Sequence, residues 1–298
     1  MLEALLKKLT HRFARIAQLN AIDSAKDQPL LQHLFVSEVQ RTYRETRIAP
    51  NFSQVEFCAY SQNAEDGILL CVFALIGFKG KRAVEVCCGD GIECNSANLI
   101  INHGFEALLF DGDKANIAAG HEFYAKRTNG WRLRRLPPLL VGAWVTAENL
   151  NDLISSNGFT GEVDLLSIDV DGNDLWLWKA VDVVSPRVVV IEYNNRLPSD
   201  RAITIPYDAK FFTNEQGQAG GGFFGASLLA LVRVGQHKGY RLVGANSPNT
   251  NAVFIRNDVA ADVFPEVSVE SCLSSDYARS QQVLHWNALS SREWIEIH

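Results

Sequence analysis

Three aspartates lie close together in the segment "SIDVDGND", at Asp169, Asp171 and Asp174. They directly follow the apolar run "VDLLSI", residues 163–168, which has the composition of a buried strand. Carboxylates at the end of a buried strand need a partner, because an unpaired buried charge is costly. The partner is either a metal ion or a cationic cofactor. In the alternative without a ligand, Asp174 caps the next helix and the other two orient loop amides.

A second polar pair, Glu192 and Asn194, ends the next apolar run, "VVVIEYN", residues 188–194. Carboxyl ends of parallel strands meet at one edge of a sheet, so this pair should lie beside Asp169 and Asp171. The four side chains offer only oxygen ligands or amides, which suit Mg²⁺, Mn²⁺ or Ca²⁺. We therefore predict a divalent-metal site there. Gly172 comes too early for an EF-hand loop, which argues against a calcium sensor.

A glycine-containing turn follows another apolar run in "VEVCCGDG", residues 84–91. Two cofactor classes bind at such turns. A dinucleotide site has the pattern G-x-G-x-x-G, and here Cys94 stands where the third glycine belongs. An S-adenosylmethionine (SAM) site has an acid followed by alternating glycines, which Glu85-x-Cys87-x-Gly89-x-Gly91 matches with one cysteine substituted.

The charge of the acid favours SAM, because Glu85 can hold a cofactor that carries an ammonium and a sulfonium. The same acid would crowd a pyrophosphate. Asp111 ends the run "EALLFD", residues 106–111, and can accept the ribose hydroxyls of either cofactor, with Asp113 as a competitor. An NAD-dependent oxidoreductase therefore stays open as the alternative.

A proton acceptor is also needed if a hydroxyl is to react. Asp171 can serve as ligand or base, and His285 can serve if the C-terminal tail folds over the site. The glycine-rich stretch at residues 214–227 is predicted to be a lid or a flexible loop.

Strand-like runs alternate with helix-length segments from residue 81 onward. The runs occupy residues 82–88, 106–111, 139–144, 163–169 and 187–193. Runs that are apolar throughout indicate parallel strands covered on both faces. Two further strands, at residues 240–246 and 251–258, share a short turn and should pair antiparallel. The sequence thus predicts an α/β, Rossmann-like, doubly wound sheet that ends in a hairpin.

Five segments together resemble the class I SAM-dependent methyltransferases, and more narrowly the FkbM-type group. They are "SQNAEDGIL" (61–69), "VEVCCGDG" (84–91), "LLFDGD" (108–113), "VDLLSIDVDGNDLWLW" (163–178) and "VVVIEYN" (188–194). The resemblance implies seven strands in the order 3-2-1-4-5-7-6, with strand 7 antiparallel. It also implies a set of cofactor-binding residues: Gln62, Glu85, Gly89, Asp90, Gly91, Asp111 and Asp169. Similar metal-dependent sugar O-methyltransferases carry their acids after the same two strands.

Three parts are expected along the chain. Residues 1–60 form a helical extension, residues 61–258 the methyltransferase domain, and residues 259–298 an extension that could cover the active site. Residues 2–19 have apolar side chains at helical spacing with basic residues on the other side. Such a helix can lie on an anionic membrane surface, or it can pack on its own protein or on a second subunit. We expect a homo-oligomer.

Composition excludes several classes of function. The net charge of −6 disfavours a nucleic-acid partner, which would need a basic excess. The six cysteines include no C-x-x-C pair, so reduced core thiols are expected rather than a disulfide framework or a zinc site. No apolar run reaches the roughly 18 residues of a membrane span, and no signal-peptide core is evident, so a cytoplasmic protein is expected.

The function predicted from these features is SAM-dependent O-methylation of a carbohydrate or another polyhydroxylated metabolite, assisted by a metal. Catalytic roles fall to Asp169, Asp171 and His285. The small-molecule or glycan acceptor is inferred from the resemblance and the acid cluster. Besides the oxidoreductase, a non-catalytic docking module with the same fold is the remaining alternative.

Overall fold

The structure is a computed structural model that describes residues 28–128, 136–213 and 222–298. The predicted amphipathic helix at residues 2–19 and most of the predicted lid, residues 214–221, lie outside these ranges. None of the described helices has the length and apolar character needed to span a membrane. The predicted membrane or subunit contact stays a prediction.

A seven-stranded sheet forms the centre of the molecule. In chain order its strands are β1 (Arg82–Val86), β2 (Glu106–Asp111), β3 (Leu139–Gly142), β4 (Gly161–Ile168), β5 (Val184–Glu192), β7 (Tyr240–Ala245) and β8 (Asn251–Arg256). Their spatial order is β3-β2-β1-β4-β5-β8-β7, and β8 runs antiparallel to both neighbours. Strands β6 (Ile203–Thr204) and β9 (Ile295–Glu296) form a separate two-stranded sheet. Counted within the main sheet, the order is 3-2-1-4-5-7-6, which confirms the predicted topology.

Helices cover both faces of this sheet. In chain order they are α1 (Gln28–Thr46), α2 (Glu65–Ile76), α3 (Ala97–His103), α4 (Lys114–Thr128), α5 (Leu150–Ser156), α6 (Asp174–Ala180), α7 (Leu228–His237), α8 (Val269–Cys272) and α9 (Asp276–Leu289). One core cluster joins α2, α3 and α4 to the sheet, and the other joins α5, α6 and α7. Strand β1 contributes Val84 and Val86 to one cluster and Ala83 to the other, because successive side chains point to opposite faces.

The winding of the chain reverses between β1 and β4. Strands β2 and β3 lie on one side of β1, whereas β4 and β5 lie on the other. A sheet with this reversal has a crevice at the carboxyl ends of the two central strands. The segments after β1 and β4 therefore form the walls of that crevice.

A buried ion pair lies toward the amino ends of the strands, away from this crevice. Asp164, on β4, accepts hydrogen bonds from the backbone amides of Lys79, Gly80 and Lys81 at 2.6–2.9 Å. The Arg187 guanidinium, on β5, donates to the same carboxylate at 2.8 Å. Every group in this cluster has a partner, so it joins β4 and β5 to the turn before β1 without leaving a buried charge unpaired.

Candidate active site at the carboxyl ends of the strands

A cleft of about 600 Å³ opens at the carboxyl ends of the central strands. Its walls come from the carboxyl ends of β1, β2 and β5, the segments after β1 and β4, the start of α2 and the segment at the start of β8. Seven carboxylates line it: Glu65, Glu85, Glu93, Asp111, Asp169, Asp171 and Glu192. Among the described lining residues there is no lysine, arginine or histidine. The cleft therefore has a strongly negative potential and suits a cationic ligand.

Glu85 organises the loop after β1. Its two carboxylate oxygens accept the backbone N–H groups of Asn95 and Ser96 at 2.9 and 2.8 Å, so the carboxylate holds the loop as well as lining the cleft. Three alternate positions, Cys87, Gly89 and Gly91, have positive φ angles of 64°, 58° and 67°. Cys87 thus adopts the backbone conformation of the glycine that it replaces, at a cost of about 1–2 kcal/mol.

Two residues predicted to bind cofactor have structural roles inside this loop. The Asp90 carboxylate accepts the N–H groups of Ile92 and Glu93, and the Gly91 carbonyl accepts the Tyr124 hydroxyl at 2.6 Å. Neither Asp90 nor Gly91 is among the described residues that line the cleft, whereas Gln62 and Gly89 are.

Asp111 lies where the cleft meets a second, smaller pocket. Its carboxylate accepts the N–H groups of Gly89 at 2.9 Å and Asp113 at 2.8 Å, and the Asn116 amide at 3.1 Å. Asp113, the competitor considered from the sequence, lines neither pocket and caps its own loop by accepting the Ala115 N–H. Of these two acids, Asp111 is therefore the one that lines the cleft and the smaller pocket.

The smaller pocket, of about 70 Å³, is mostly apolar. Phe110, Ala143, Trp144 and Phe211 contribute to its walls. The segment after β6 is held over this pocket, because the Trp144 indole N–H donates to the Ala209 carbonyl at 2.7 Å. Such a pocket beside a ribose-type acceptor suits a flat heterocycle.

Three carboxylates converge on one side of the cleft, and we refer to Asp169, Asp171 and Glu192 as the acidic trio. One oxygen of each lies within 4.8 Å of the others. Burial is the largest cause that raises the pKa of all three, and the neighbouring carboxylates add to it for Asp169 and Glu192. The Glu192 Oε2 atom is buried and has no hydrogen-bond partner among the described residues. Two predicted metal and catalytic residues, Asp169 and Asp171, thus meet Glu192 as expected.

Asp174 holds the turn that carries the trio. Its buried carboxylate accepts the N–H groups of Val170 and Gly172 at 2.8 and 2.9 Å. Burial raises the pKa of Asp174 to about 7 in spite of these hydrogen bonds. Asp171 lies within this turn at a φ of 54°, in the left-handed region that aspartate and asparagine visit more readily than most other residues.

Asn194 does not join the trio, which corrects its prediction as a metal ligand. Its side-chain amide donates to the carbonyls of Gly222 and Phe224, both at 2.8 Å, and its Oδ1 accepts the Arg196 N–H. The chain turns away from the cleft after β5, so this buried side chain organises the following loop. Asn194 is also absent from the described lining.

His285 is not brought to the cleft either, which corrects its prediction as the catalytic base. It lies on α9, and this helix packs through Trp286 and Leu289 against Leu197 and Ile203. No described residue between 259 and 298 lines the cleft. The C-terminal extension therefore packs against the segment after β5 and does not cover the cleft.

Glu65 is a site residue that sequence reasoning missed. Its Oε1 accepts the amides of Asn246 and Asn251, each at 2.8 Å, and its Oε2 accepts the Asn63 N–H at 3.0 Å. The motif "SQNAEDG" pointed to this segment. The two asparagine partners are 181 and 186 residues away, so local spacing could not reveal them.

No protein-family model and no curated protein matches the sequence. Solved structures align at low similarity. A SAM-dependent methyltransferase from Clostridium acetobutylicum ATCC 824 has 10% identity and a TM-score of 0.40 over 74% of this chain and 98% of its own. The N-terminal domain of EvdMO1 with SAH bound has 15% identity and a TM-score of 0.40, over 74% and 95%.

A third alignment is with magnesium protoporphyrin IX methyltransferase (ChlM) from Synechocystis PCC 6803 with bound SAM. It has 10% identity and a TM-score of 0.39 over 64% of this chain and 77% of the other. Similarities this low carry no argument about function. The narrower resemblance to the FkbM-type group stays a prediction.

Proposed function

We propose that this chain is a SAM-dependent methyltransferase that methylates a hydroxyl of a carbohydrate or another polyhydroxylated metabolite. The observation that carries the proposal is the position of Asp111, between an apolar pocket and an acid-lined cleft. The chemical groups of SAM follow one another in the matching order: a flat adenine, a ribose with two hydroxyls, and a positively charged sulfonium. The adenine fits beside Trp144 and Phe211, and the ribose hydroxyls fit Asp111.

The charge of the cleft disfavours the NAD-dependent alternative. A pyrophosphate carries two negative charges and needs N–H donors or basic side chains around it. The described lining supplies seven carboxylates and no basic side chain. A cationic cofactor is stabilised by the same surroundings that would repel a pyrophosphate.

The chemistry expected is in-line displacement at carbon. SAM supplies a methyl group on a sulfonium sulfur, which keeps the bonding electron pair and becomes the neutral thioether of S-adenosylhomocysteine (SAH). The chain must align the acceptor hydroxyl with that bond and accept its proton. Asp169, Asp171 and Glu192 are the described carboxylates with raised pKa values beside the reaction centre, so one of them is the expected proton acceptor.

The same trio fits a divalent cation. Three carboxylate oxygens within 4.8 Å of one another form an all-oxygen donor set, which Mg²⁺ or Mn²⁺ prefers. A metal bound there would lower the pKa of a coordinated hydroxyl. We include metal assistance in the proposal with these three ligands, and without Asn194.

Ligand-dependent thermal stability tests the cofactor assignment. We expect SAM and SAH to raise the thermal midpoint of the protein and NAD to leave it unchanged, because a ligand of the folded state stabilises that state. Asp111→Ala should abolish the shift, since the ribose loses its acceptor. The matched control is Asp113→Ala, which removes the neighbouring acid that lines neither pocket and should keep the shift. A shift with NAD alone would show that the assignment is wrong.

Metal binding is tested separately, with protein and metal alone. We expect Mg²⁺ or Mn²⁺ to raise the thermal midpoint of the wild type and to have no effect on Asp169→Asn, which removes one ligand charge. Asp276→Asn removes one negative charge from the exposed start of α9 and serves as the control. An equal response of wild type and Asp169→Asn would remove the metal from the proposal.

A further inference from the structure

Six of the seven carboxylates of the cleft fall into two groups, and the seventh, Glu93, lies outside the acidic trio. Glu65, Glu85 and Asp111 accept hydrogen bonds from protein amides, so their charges are partly compensated. The acidic trio differs, because no amide and no basic side chain among the described residues donates to its oxygens. The trio is therefore the place in the cleft where three carboxyl groups without such donors lie together.

The trio lies next to the loop that would hold the cofactor. Strands β1 and β4 are paired, and the Asp169 N–H donates to the Val86 carbonyl at 3.4 Å. The influence of the trio reaches Cys87 in that loop. Burial is the largest cause that raises the pKa of the Cys87 thiol, and the charges of Asp111, Asp169 and Asp171 raise it further. The trio thus lies at the crevice between β1 and β4, where open sheets of this kind bind their ligands.

We propose that the acidic trio makes the cleft select a positive charge at the methyl-transfer position, so that the chain binds SAM more tightly than SAH. The two ligands differ there by one unit of charge and one methyl group. A partly screened interaction of one charge with carboxylates across a cleft corresponds to about a tenfold difference in affinity. This inference rests on the proposed function.

Such selection has a consequence for turnover. Methyl transfer converts the sulfonium into a neutral thioether, so the reaction itself removes the charge that the trio attracts. The product SAH is then held less tightly than the substrate that it replaces. When no metal occupies the trio, this difference in affinity would favour exchange of the product for a new molecule of SAM.

Dissociation constants measured by calorimetry in buffer with EDTA test the proposal, since a divalent ion at the trio would cancel its charge. The ligands are SAM, SAH and sinefungin, a SAM analogue in which a carbon that bears a cationic amine replaces the methylated sulfur. We expect SAM and sinefungin to bind about tenfold more tightly than SAH.

Two variants show whether the trio is responsible. Asp171→Asn is the first choice, because Asp171 is the most exposed member of the trio and asparagine tolerates its positive φ. Asp169→Asn is the second, in case one of them folds poorly. Each should bring the affinities for SAM and SAH close together, whereas the remote control Asp276→Asn should retain the preference.

Each outcome has one meaning. If the wild type binds SAH as tightly as SAM, or more tightly, the inference is overturned while the proposed function stands. A preference that persists in both trio variants also overturns it, because the selection then has another source. If the folded protein binds none of the three ligands, the proposed function itself fails.

Discussion

Replacing Glu192 by glutamine is expected to make the protein more stable than the wild type at about pH 8, by roughly 1–3 kcal/mol in the free energy of unfolding. Burial, followed by the charge of Asp169, raises the pKa of Glu192 well above its ordinary value of 4.5. The folded protein therefore binds more protons than the unfolded chain above this ordinary value. Its stability falls as the pH rises through that window, and glutamine removes the group responsible.

The measurement is urea unfolding of both proteins near pH 4 and at about pH 8. Near pH 4 Glu192 carries its proton in both states, so the two proteins should have similar stability. Glu270→Gln, at an exposed glutamate of α8, should match the wild type at both pH values. A Glu192→Gln protein that is less stable at about pH 8, or a difference that does not change with pH, would contradict the expectation.

Replacing Asp164 by alanine is expected to cost about 3–5 kcal/mol of unfolding free energy. The change leaves the Arg187 guanidinium buried with one partner fewer, and it leaves the amides of Lys79, Gly80 and Lys81 without their acceptor. Uncompensated buried charges and donors cause most of that loss.

Denaturant unfolding measures this loss, and Asp258→Ala is the matched control. Asp258 is an exposed acid that pairs with Arg256, so its removal should cost less than about 1 kcal/mol. Because Asp164 lies at the edge of the sheet opposite the cleft, any Asp164→Ala protein that folds should still respond to SAM. A loss below about 1 kcal/mol would show that the pair contributes little.

The sheet was predictable because its signal is local. Each run from β1 to β5 is apolar on both faces, and each is followed by a segment long enough to cross back over the sheet. Asp169 and Asp171 directly follow the strand that ends at Ile168. Glu192 ends the neighbouring strand. The strand order alone therefore predicted that Asp169, Asp171 and Glu192 lie close together.

The two positions that were predicted wrongly, Asn194 and His285, depend on contacts between segments that are distant in the sequence. Asn194 is only two residues past β5, yet its backbone N–H bonds to the Ala226 carbonyl and its side chain follows that turn. Residue type cannot show whether an amide faces a cleft or a loop. His285 depended on where a whole C-terminal helix docks, and docking is decided by the packing of Trp286 and Leu289.

The hydrogen bonds from Asn246 and Asn251 to Glu65 also have a consequence for how the chain folds during its synthesis. Glu65 is made early, but Asn251 follows it by 186 residues. At typical translation rates these partners are roughly 10–40 s apart. Until the hairpin of β7 and β8 has been synthesised, the cleft lacks the wall that contains Asn251. The Glu65 carboxylate then also lacks the side-chain amides of Asn246 and Asn251. The pocket is thus among the last parts of the nascent chain to form, after much of the sheet that supports it.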